Sequence, residues 1–290
     1  MKSSIRFKSF SSGSSGNCYF LGIFDGNRRC EAGILIDAGV SLRRLKNELA
    51  GDGLSFDDFS AILITHDHND HIRSLGSYCK RLCKPVWLTP VLRKSLSVHW
   101  LTGEYLAGVV RTLDYEGWNE IVPGRIRAKC FIMPHDATET VGFCIELDGQ
   151  RYVHITDAGK MTPEALEYCR SASSVTIEAN YDPEMLANGP YPPELQARIR
   201  GGHGHISNFE CAEAVAAFVN EGTKNIFLCH LSEHNNTPKL ALDTVKGRLP
   251  VAAGNDDGRA ADAPSVMPDL IGHLRLIALP HRSASPFFEL

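Results

Sequence analysis

The sequence contains no apolar run long enough to cross a lipid bilayer. A transmembrane helix needs about 20 consecutive apolar residues, and the apolar segments here are interrupted by charged or turn-forming residues well before that length. The N-terminal stretch MKSSIRFKSF also lacks the apolar core of a secretory signal. We therefore expect a cytoplasmic protein that has no membrane partner.

The nine cysteines do not form a recognisable framework. Their number is odd, and no two of them form a C-x-x-C pair. Structural zinc sites with thiolate ligands use such pairs, and small disulfide-rich folds use an even set of cysteines, so neither is expected to organise this chain. Buried free thiols are the expected state of these side chains.

The chain also carries little excess charge. Its 30 basic and 34 acidic residues give a formal net charge of −4. This balance argues against a basic surface coat of the kind that binds nucleic acid without specificity. A local basic groove stays open as an alternative, because phosphate contacts need only a few placed cations.

Short apolar segments rich in β-branched residues recur along the chain and predict strands. Helical stretches lie between many of them, with start signals at Thr89-Pro90 and at Thr237-Pro238. Ser207 and Glu210 form a capping box ahead of a helix that is expected to end near Asn220. This mixture predicts an α/β fold with two sheets and with helices packed on their outer faces.

One segment concentrates ionisable side chains at the end of an apolar strand. The stretch ILITHDHNDHI (62–72) spells H-x-H-x-D-H, formed by His66, His68, Asp70 and His71. Desolvating these groups beside a core is unfavourable unless something compensates them. Imidazole nitrogens and carboxylate oxygens are ligands of zinc and related divalent ions, so the cluster predicts a metal site. A solvated polar turn is the alternative, and the density of ligand types argues against it.

Three further candidate ligands stand after other apolar strands. His135 follows CFIMP, Asp157 follows YVHIT, and His230 follows NIFLC. Taken singly, each is equally well explained as a hydrogen-bonded residue at a strand end. Their shared setting predicts that they meet the H-x-H-x-D-H cluster at one rim of the sheets, where the combined ligands can serve two ions.

The order of these residues resembles that of the metallo-β-lactamase superfamily across nearly the whole chain. The matching positions are Asp37 in LIDAG, the THDHNDH segment, His135, Asp157 in TDAG, and His230. The resemblance implies a four-layer αββα sandwich with a dinuclear metal site at one edge. It also implies a ligand set: His66, His68 and His135 for one ion, Asp70, His71 and His230 for the other, Asp157 as the bridge, and Asp37 as a residue that orients the His-rich loop without binding metal.

Finer motifs are similar to those of the YycJ/WalJ group, which is regarded as a group of bacterial DNA exonucleases. They are SGSSGNCYF near the start, EANYD (178–182), NGPYPPELQARI (188–199), GHGHISN (202–208) and CHLSEHNNTP (229–238). This likeness implies DNA as the substrate and manganese or zinc as the active ions, while the ligand types would also suit iron. The implied reaction is hydrolysis of a phosphodiester bond by a hydroxide that bridges the two ions.

Three side chains are candidates for catalysis. His205, in GHGHIS, precedes the capped helix and is expected to stabilise charge or supply the leaving-group proton. Glu178 ends an apolar strand and is expected to support the site through His205, with a plain surface carboxylate as the nearly equal alternative. Asp70 is expected to serve catalysis as well as metal binding.

Substrate contacts are expected from a neighbouring segment. Arg198 and Arg200 are close to the candidate catalytic histidine in sequence and are candidates for contacts with substrate phosphates, although a solvated helix face explains them equally well. Tyr181 and Tyr191 are candidates for stacking on bases.

We expect residues 1–290 to form a single domain. The stretch 250–268 is polar and rich in glycine, proline and alanine, and it predicts a mobile insertion. The apolar segment after it predicts one final strand. Because the span between Asp157 and His230 is too short for an additional cap domain, the site is expected to be open or covered by a second subunit, and the oligomeric state stays undetermined.

Two other functions fit the same residues. One is a small-molecule hydrolase of the same fold that cleaves a thioester, a lactone or a β-lactam, and the modest negative charge favours it slightly. The other is a metal-stabilised regulatory or binding module without turnover, which would require a closed coordination shell. The intact ligand set argues against the module.

Overall fold

The strands of the protein form two sheets. In the computed structural model, which describes residues 3–100, 102–249 and 273–290, each sheet contains seven strands. The first sheet consists of β1 (Ser4–Ser11), β2 (Cys18–Phe24), β3 (Cys30–Ile36), β4 (Ala61–Leu63), β5 (Val86–Leu88), β6 (Val110–Thr112) and, beside β1, β14 (Phe288–Glu289). The second sheet consists of β7 (Asn119–Val122), β8 (Ile126–Met133), β9 (Thr140–Leu147), β10 (Gln150–His154), β11 (Ser174–Glu178), β12 (Asn225–Cys229) and β13 (Arg275–Ala278).

The helices fall into two groups along the described chain. The first group is α1 (Leu42–Gly51), α2 (Asn69–Ile72), α3 (Leu75–Leu82), α4 (Pro90–Val98) and α5 (Gly103–Leu106), with a 3-10 turn at Phe56–Asp58. The second group is α6 (Pro163–Arg170), α7 (Pro183–Asn188), α8 (Pro193–Arg200), α9 (Asn208–Phe218) and α10 (Pro238–Arg248).

The alternation of side chains along the strands explains how these elements stack. In β2, Tyr19, Leu21 and Ile23 enter a core between the two sheets, whereas Cys18 and Phe20 enter a core beneath the first group of helices. Within the described residues, the core between the sheets draws side chains from both sheets and none from a helix. A third core joins the second sheet to α6, α9 and α10. The order helix, sheet, sheet, helix confirms the predicted four-layer αββα sandwich.

The predicted helix starts are confirmed by their caps. The threonines that precede α4 and α10 each accept a hydrogen bond from a backbone N–H in the first turn, and proline occupies the first helical position. Ser207 and Glu210 form the reciprocal capping box at the start of α9. That helix ends at Phe218, slightly earlier than predicted.

Strand direction places several loops at the same edge. Strands β3 to β6 are mutually parallel, and so are β10 to β13. Strand β8 is antiparallel to β9, which is antiparallel to β10, so β8 runs in the same direction as β10. The carboxyl ends of β8, β10, β11 and β12 therefore meet at one edge of the second sheet, and those of β3 and β4 meet at one edge of the first.

The C-terminal segment supplies two short strands rather than one. Strand β13 joins the second sheet and β14 joins the first. Pro280 and Pro286 flank the turn between them, and proline cannot donate a ladder hydrogen bond. Ser285 fixes the crossing through hydrogen bonds to the backbone of Ser9 in β1.

Two further expectations concern the predicted insertion and the absence of a membrane-spanning segment. The predicted insertion at 250–268 lies outside the described residues. In the described part of the chain, no helix combines the length and the apolar character needed to span a membrane.

The inter-sheet core should dominate stability. Phe227 of β12 is fully buried between the sheets, with its ring 4.8 Å from that of Phe7 and 5.1 Å from that of Phe288. We expect Phe227→Ala to lower the free energy of unfolding by about 3–5 kcal/mol, because it leaves a cavity in a packed core. Urea denaturation measures this change.

The matched control is Phe209→Ala, since Phe209 is 55% exposed. It should change the free energy of unfolding by no more than about 0.5 kcal/mol. Equal effects of the two substitutions would contradict the layered core.

Candidate metal centre

The strand ends deliver the candidate side chains to one place. Asp37 follows β3, the THDHNDH segment follows β4, His135 follows β8, and Asp157 follows β10. Glu178 is the last residue of β11, and His230 follows β12 directly. Their convergence follows from strand direction and not from nearness in sequence.

Three of these residues have left-handed backbone conformations. The φ angles are +62° at Asp37, +52° at Asp157 and +53° at His230. Such conformations cost a non-glycine residue of order 1–3 kcal/mol and persist where surrounding contacts enforce them. Here the backbone N–H of Asp37 donates to Leu63 at 2.8 Å, and that of His230 donates to Ser12 Oγ at 2.9 Å. These turns aim the side chains out of the strand ends.

The two Asp-Ala-Gly segments each end in a glycine that allows a close backbone approach. A Cβ on Gly39 would lie 1.7 Å from the carbonyl oxygen of Asp70, and one on Gly159 would lie 2.4 Å from that of Gly202. The first glycine admits the His-rich loop, and the second admits the loop that carries His205. Only glycine fits at either position.

Hydrogen bonds fix which ring nitrogen of each histidine is free. Nδ1 of His71 donates to Asp37 Oδ2 at 2.7 Å, and Nδ1 of His66 lies 3.0 Å from Thr65 Oγ1. Nδ1 of His135 donates to the backbone carbonyl of Gly204 at 2.7 Å. In each ring, Nε2 is then the nitrogen that can accept; at His71 the Asn17 amide nitrogen lies 2.8 Å from it.

Of the remaining two histidines, His230 follows the same rule and His68 does not. Nδ1 of His230 donates to Glu178 Oε1 at 3.0 Å, which leaves Nε2 free. His68 uses the opposite nitrogen: Nε2 donates to the carbonyl oxygen of Asp136 at 3.2 Å, and Nδ1 lies 3.3 Å from His135 Nε2.

The available atoms lie close to one another. His71 Nε2 is 3.2 Å from Asp157 Oδ2 and 3.4 Å from Asp70 Oδ2, and His230 Nε2 is 3.5 Å from the same Asp70 oxygen. Potential ligand atoms come within 4.8 Å of one another in four overlapping groups: His66, His68 and His135; His66, His71 and Asp157; Asp70, His71 and His230; and Asp157, Glu178, His205 and His230. Asp157 connects these groups, because its Oδ1 lies 3.7 Å from His135 Nε2.

Two buried ring nitrogens of the cluster, Nε2 of His66 and Nε2 of His230, have no hydrogen-bond partner among the described residues. His66 is completely buried, and its Nε2 accepts and donates no hydrogen bond. An unpaired imidazole nitrogen in the interior is costly, and a divalent cation is the partner that suits it. The residues present therefore fit a metal centre with nitrogen and oxygen ligands.

Burial and charge shift the protonation equilibria in opposite directions. Burial and the neighbouring His71 lower the pKa of His66. Burial also disfavours charge on His230, but carboxylates led by Asp157 outweigh it and raise the pKa of His230 to about 10. For Asp157 the burial penalty is outweighed by imidazoles led by His230, so the pKa of its carboxyl lies well below its usual range. Ionised carboxylates and imidazoles thus share one desolvated space, and the positive charge that balances the carboxylates is a proton on an imidazole or a cation that takes the place of that proton.

Glu178 connects the cluster to His205. Its Oε1 accepts hydrogen bonds from Nδ1 of His205 at 2.8 Å and of His230, while its Oε2 accepts one from the backbone N–H of Ala158 at 2.9 Å. Burial disfavours charge on both members of the Glu178–His205 pair, but their mutual attraction lowers the pKa of Glu178 and raises the pKa of His205. Glu178 is fully buried rather than exposed at the surface.

A cleft opens beside the cluster. It has a volume of about 240 Å³, and His68, Asp70, Asp157, His205 and His230 form one side of it. Arg198 and Tyr191 also line the cleft. Within the described chain, Arg200 is not among the lining residues and instead hydrogen-bonds Gln196, and Tyr181 is buried beneath the surface.

Two residues that hold the candidate ligands, Asn17 and Thr65, were not predicted from the sequence. Nδ2 of Asn17 lies 3.0 Å from Asp70 Oδ2 and 2.8 Å from His71 Nε2, and Thr65 Oγ1 donates to Asp37. Asn17 stands in the Gly/Ser-rich segment between β1 and β2, which reads as a simple loop. Two signals in the sequence could have indicated these residues: the amide of Asn17 at the end of that segment, and the position of Thr65 directly before His66.

Comparisons with known proteins show the family and the fold of the chain. The family model described as "Beta-lactamase superfamily domain" matches residues 33–231. The chain is 30% identical over 244 residues to a protein of Bacillus anthracis named exodeoxyribonuclease YycJ, covering 83% of this chain and 88% of the relative. It is also 30% identical over 246 residues to exodeoxyribonuclease WalJ of Streptococcus pneumoniae, covering 84% and 88%.

A solved structure shows the same fold at low sequence identity. The metallo-β-lactamase fold protein YhfI from Bacillus subtilis superposes with a TM-score of 0.66 and 11% identity, covering 99% of this chain and all of that one. At this identity the likeness concerns the fold alone.

The close approach at Gly159 should be sensitive to a single methyl group. Gly159→Ala forces the loop at Gly202 to move, and we expect the free energy of unfolding to fall by about 1–3 kcal/mol. Urea denaturation in a chelating buffer measures this without a contribution from bound metal. Gly202→Ala is the control in the same loop, since its Cβ would meet open space. Equal stability of the two variants would contradict the described contact.

Proposed function

Because the chain belongs to the β-lactamase superfamily and is a metal-dependent hydrolase, we propose that it is a dinuclear phosphodiesterase that acts as a DNA exonuclease. The observation that carries the proposal is the hydrogen-bonded pair of His205 and Glu178 at the edge of the ligand cluster. A paired imidazole next to a metal centre is suited to donate a proton to a leaving oxygen. The names of the two relatives, both exodeoxyribonucleases, support DNA as the substrate.

The proposed ligand assignment draws on three of the four groups of close donor atoms. His66, His68 and His135 would hold one ion, Asp70, His71 and His230 would hold the second, and Asp157 would be shared between them. The Nδ1 atoms of His71 and His230 are hydrogen-bonded to Asp37 and Glu178, and these two carboxylates position the ligands without binding metal.

Two divalent cations at such a centre supply Lewis acidity for a phosphoryl oxygen and activation of a water molecule. Zinc, manganese and iron all suit a set of imidazole and carboxylate ligands that contains no sulfur. The side chains of the chain supply the rest: they orient the ions, bind the phosphodiester and move a proton.

His205 is the proposed proton donor. Its Nδ1 is bonded to Glu178, so Nε2 is the nitrogen that can face the substrate. The raised pKa of His205 keeps the ring protonated more readily than a free imidazole. As the bond between phosphorus and the leaving 3′ oxygen breaks, that oxygen takes the proton from Nε2, and the ring becomes neutral. Glu178 stabilises the charged ring before the transfer and fixes its orientation.

Arg198 is the proposed contact for a substrate phosphate. It lines the cleft and forms an ion pair with Asp136, whose carboxylate Oδ1 also lies 3.4 Å from His135 Nε2. This pairing holds the guanidinium next to the ligand cluster while most of the side chain stays exposed. We propose no substrate contact for Arg200, because it is directed to Gln196.

The small-molecule hydrolase remains the second candidate. The observation that favours it is the partly apolar lining of the cleft, which includes Leu195, Ile199 and Leu231 and could hold an acyl group. A binding module without turnover fits less well, since the cleft opens directly onto the candidate ligands. Cleavage assays on DNA and on thioester, lactone and β-lactam substrates separate the two hydrolases.

Loss of one ligand should abolish cleavage. We expect the protein to degrade linear DNA with Mn²⁺ or Zn²⁺ and to lose that activity in a chelator. Asp70→Ala should reduce the rate of DNA cleavage by about 10³-fold or more, because it removes a metal ligand and the negative charge that this ligand carries. The matched control is Asp243→Ala, whose carboxylate is exposed on α10. Full activity of Asp70→Ala would end the proposed mechanism.

The role of His205 can be separated from metal binding. His205→Ala should slow DNA cleavage by about 10²–10⁴-fold, the usual contribution of a general acid. Its metal content, measured by elemental analysis, should equal that of the unmodified protein. A parallel loss of metal would instead make His205 a ligand or a structural residue.

A further inference from the structure

Two chemically different sets of side chains line the cleft. One set consists of candidate metal ligands and His205. The other set, called here the apolar wall, consists of Tyr191 before α8 and of Leu195 and Ile199 in α8. These apolar side chains have no role in binding metal or in moving a proton, and this points to a part of the substrate that is itself apolar.

The apolar wall is a separately packed unit. Tyr181, Leu186 and Ile199 are buried in a small cluster that is distinct from the three main cores, and Tyr191 and Leu195 pack against it while remaining partly exposed. Tyr191 and Leu195 are thus supported from behind and free on the side of the cleft.

Tyr191 is held through its backbone and contacted at its ring. The side chain of Gln196 donates a hydrogen bond to the Tyr191 backbone carbonyl oxygen at 2.9 Å, and the ring of His234 packs edge-on against the Tyr191 ring at a centroid distance of 6.0 Å. A planar ring held in place at the rim of a cleft is a surface on which another planar group can stack.

The size of the cleft limits what can occupy it. Its volume of about 240 Å³ is below the range of about 300–1,000 Å³ that is typical of pockets for drug-sized ligands. One monomer of a polymer fits such a space better than a whole extended ligand. The monomer must carry an anion for Arg198 and the metal centre and an apolar, planar group for Tyr191 and Leu195.

A nucleotide has this combination of groups. We propose that Tyr191 and Leu195 bind the unstacked base of the nucleotide whose phosphodiester is cleaved, while Arg198 contacts its phosphate. This inference rests on the proposed nuclease function and specifies how that site selects its substrate. Within the lining, the two base-binding side chains offer a ring face and an aliphatic surface, so the wall accepts all bases by stacking and not by reading their edges.

The consequence is a preference for an unpaired strand end. A base within a duplex must leave its stack before it can reach Tyr191, whereas a base at a frayed or single-stranded end is already available. Single-stranded DNA and duplexes with an unpaired terminal nucleotide should therefore be better substrates than blunt duplexes.

The test compares two single-stranded oligonucleotides that differ only at the terminal nucleotide, which carries a base in one and is abasic in the other. With the Mn²⁺-loaded protein, KM for the base-bearing strand should be lower by about 5- to 150-fold, the value expected for stacking of one base. Tyr191→Ala should raise KM for the base-bearing strand toward that of the abasic strand, with kcat changed by less than about threefold. Tyr191→Phe keeps the ring and should retain the low KM.

Leu240→Ala on α10 is the control, because its partly exposed side chain is not among the described residues that line the cleft. Equal KM values for the two strands with the unmodified protein would overturn the inference and leave the nuclease function standing. An equal rise of KM on both strands in Tyr191→Ala would also overturn it. Failure to cleave either strand would overturn the proposed function, and the inference with it.

Discussion

The candidate metal centre depends on the hydrogen bonds made by the Nδ1 atoms of the buried histidines. Asp37 holds His71, Glu178 holds both His230 and His205, and a backbone carbonyl holds His135. Each bond fixes a tautomer, and each leaves the opposite nitrogen facing a common centre. Imidazoles and carboxylates packed in this way are unfavourable in a desolvated space unless a cation joins them. The arrangement of these side chains therefore suits a metal centre.

The αββα sandwich provides this arrangement through strand direction. Parallel strands in both sheets end at one edge, and left-handed turns at Asp37, Asp157 and His230 project side chains from those ends. Gly39 and Gly159 allow the neighbouring loops to approach closely enough to complete the shell. The left-handed turns at Asp37, Asp157 and His230 lower the stability of the fold, and the same turns direct the candidate ligands into the site.

Much of the fold and part of the site could be predicted from the sequence, and the division has a physical basis. The H-x-H-x-D-H segment is contiguous, and helix caps act over a few residues, so both are visible in a local pattern. Contacts made across the fold are not: Asn17 meets Asp70 only because two loops fold together. The direction of side chains is equally hidden in the sequence. Arg200 bonds Gln196 and does not line the cleft, and Tyr181 is buried whereas Tyr191 lines the cleft, and none of this could be predicted from the sequence. The last expected strand became two because paired serines and flanking prolines carry the chain between sheets.

The central claim is that this buried cluster is a metal centre that holds two divalent cations. Elemental analysis of the protein purified without chelators and then saturated with Mn²⁺ or Zn²⁺ tests it most directly. The account predicts about two ions per chain, falling to about one or none when His66, whose Nε2 has no partner among the described residues, is replaced by alanine. A protein that takes up no divalent ion, or one whose metal content is unchanged by His66→Ala, would contradict it.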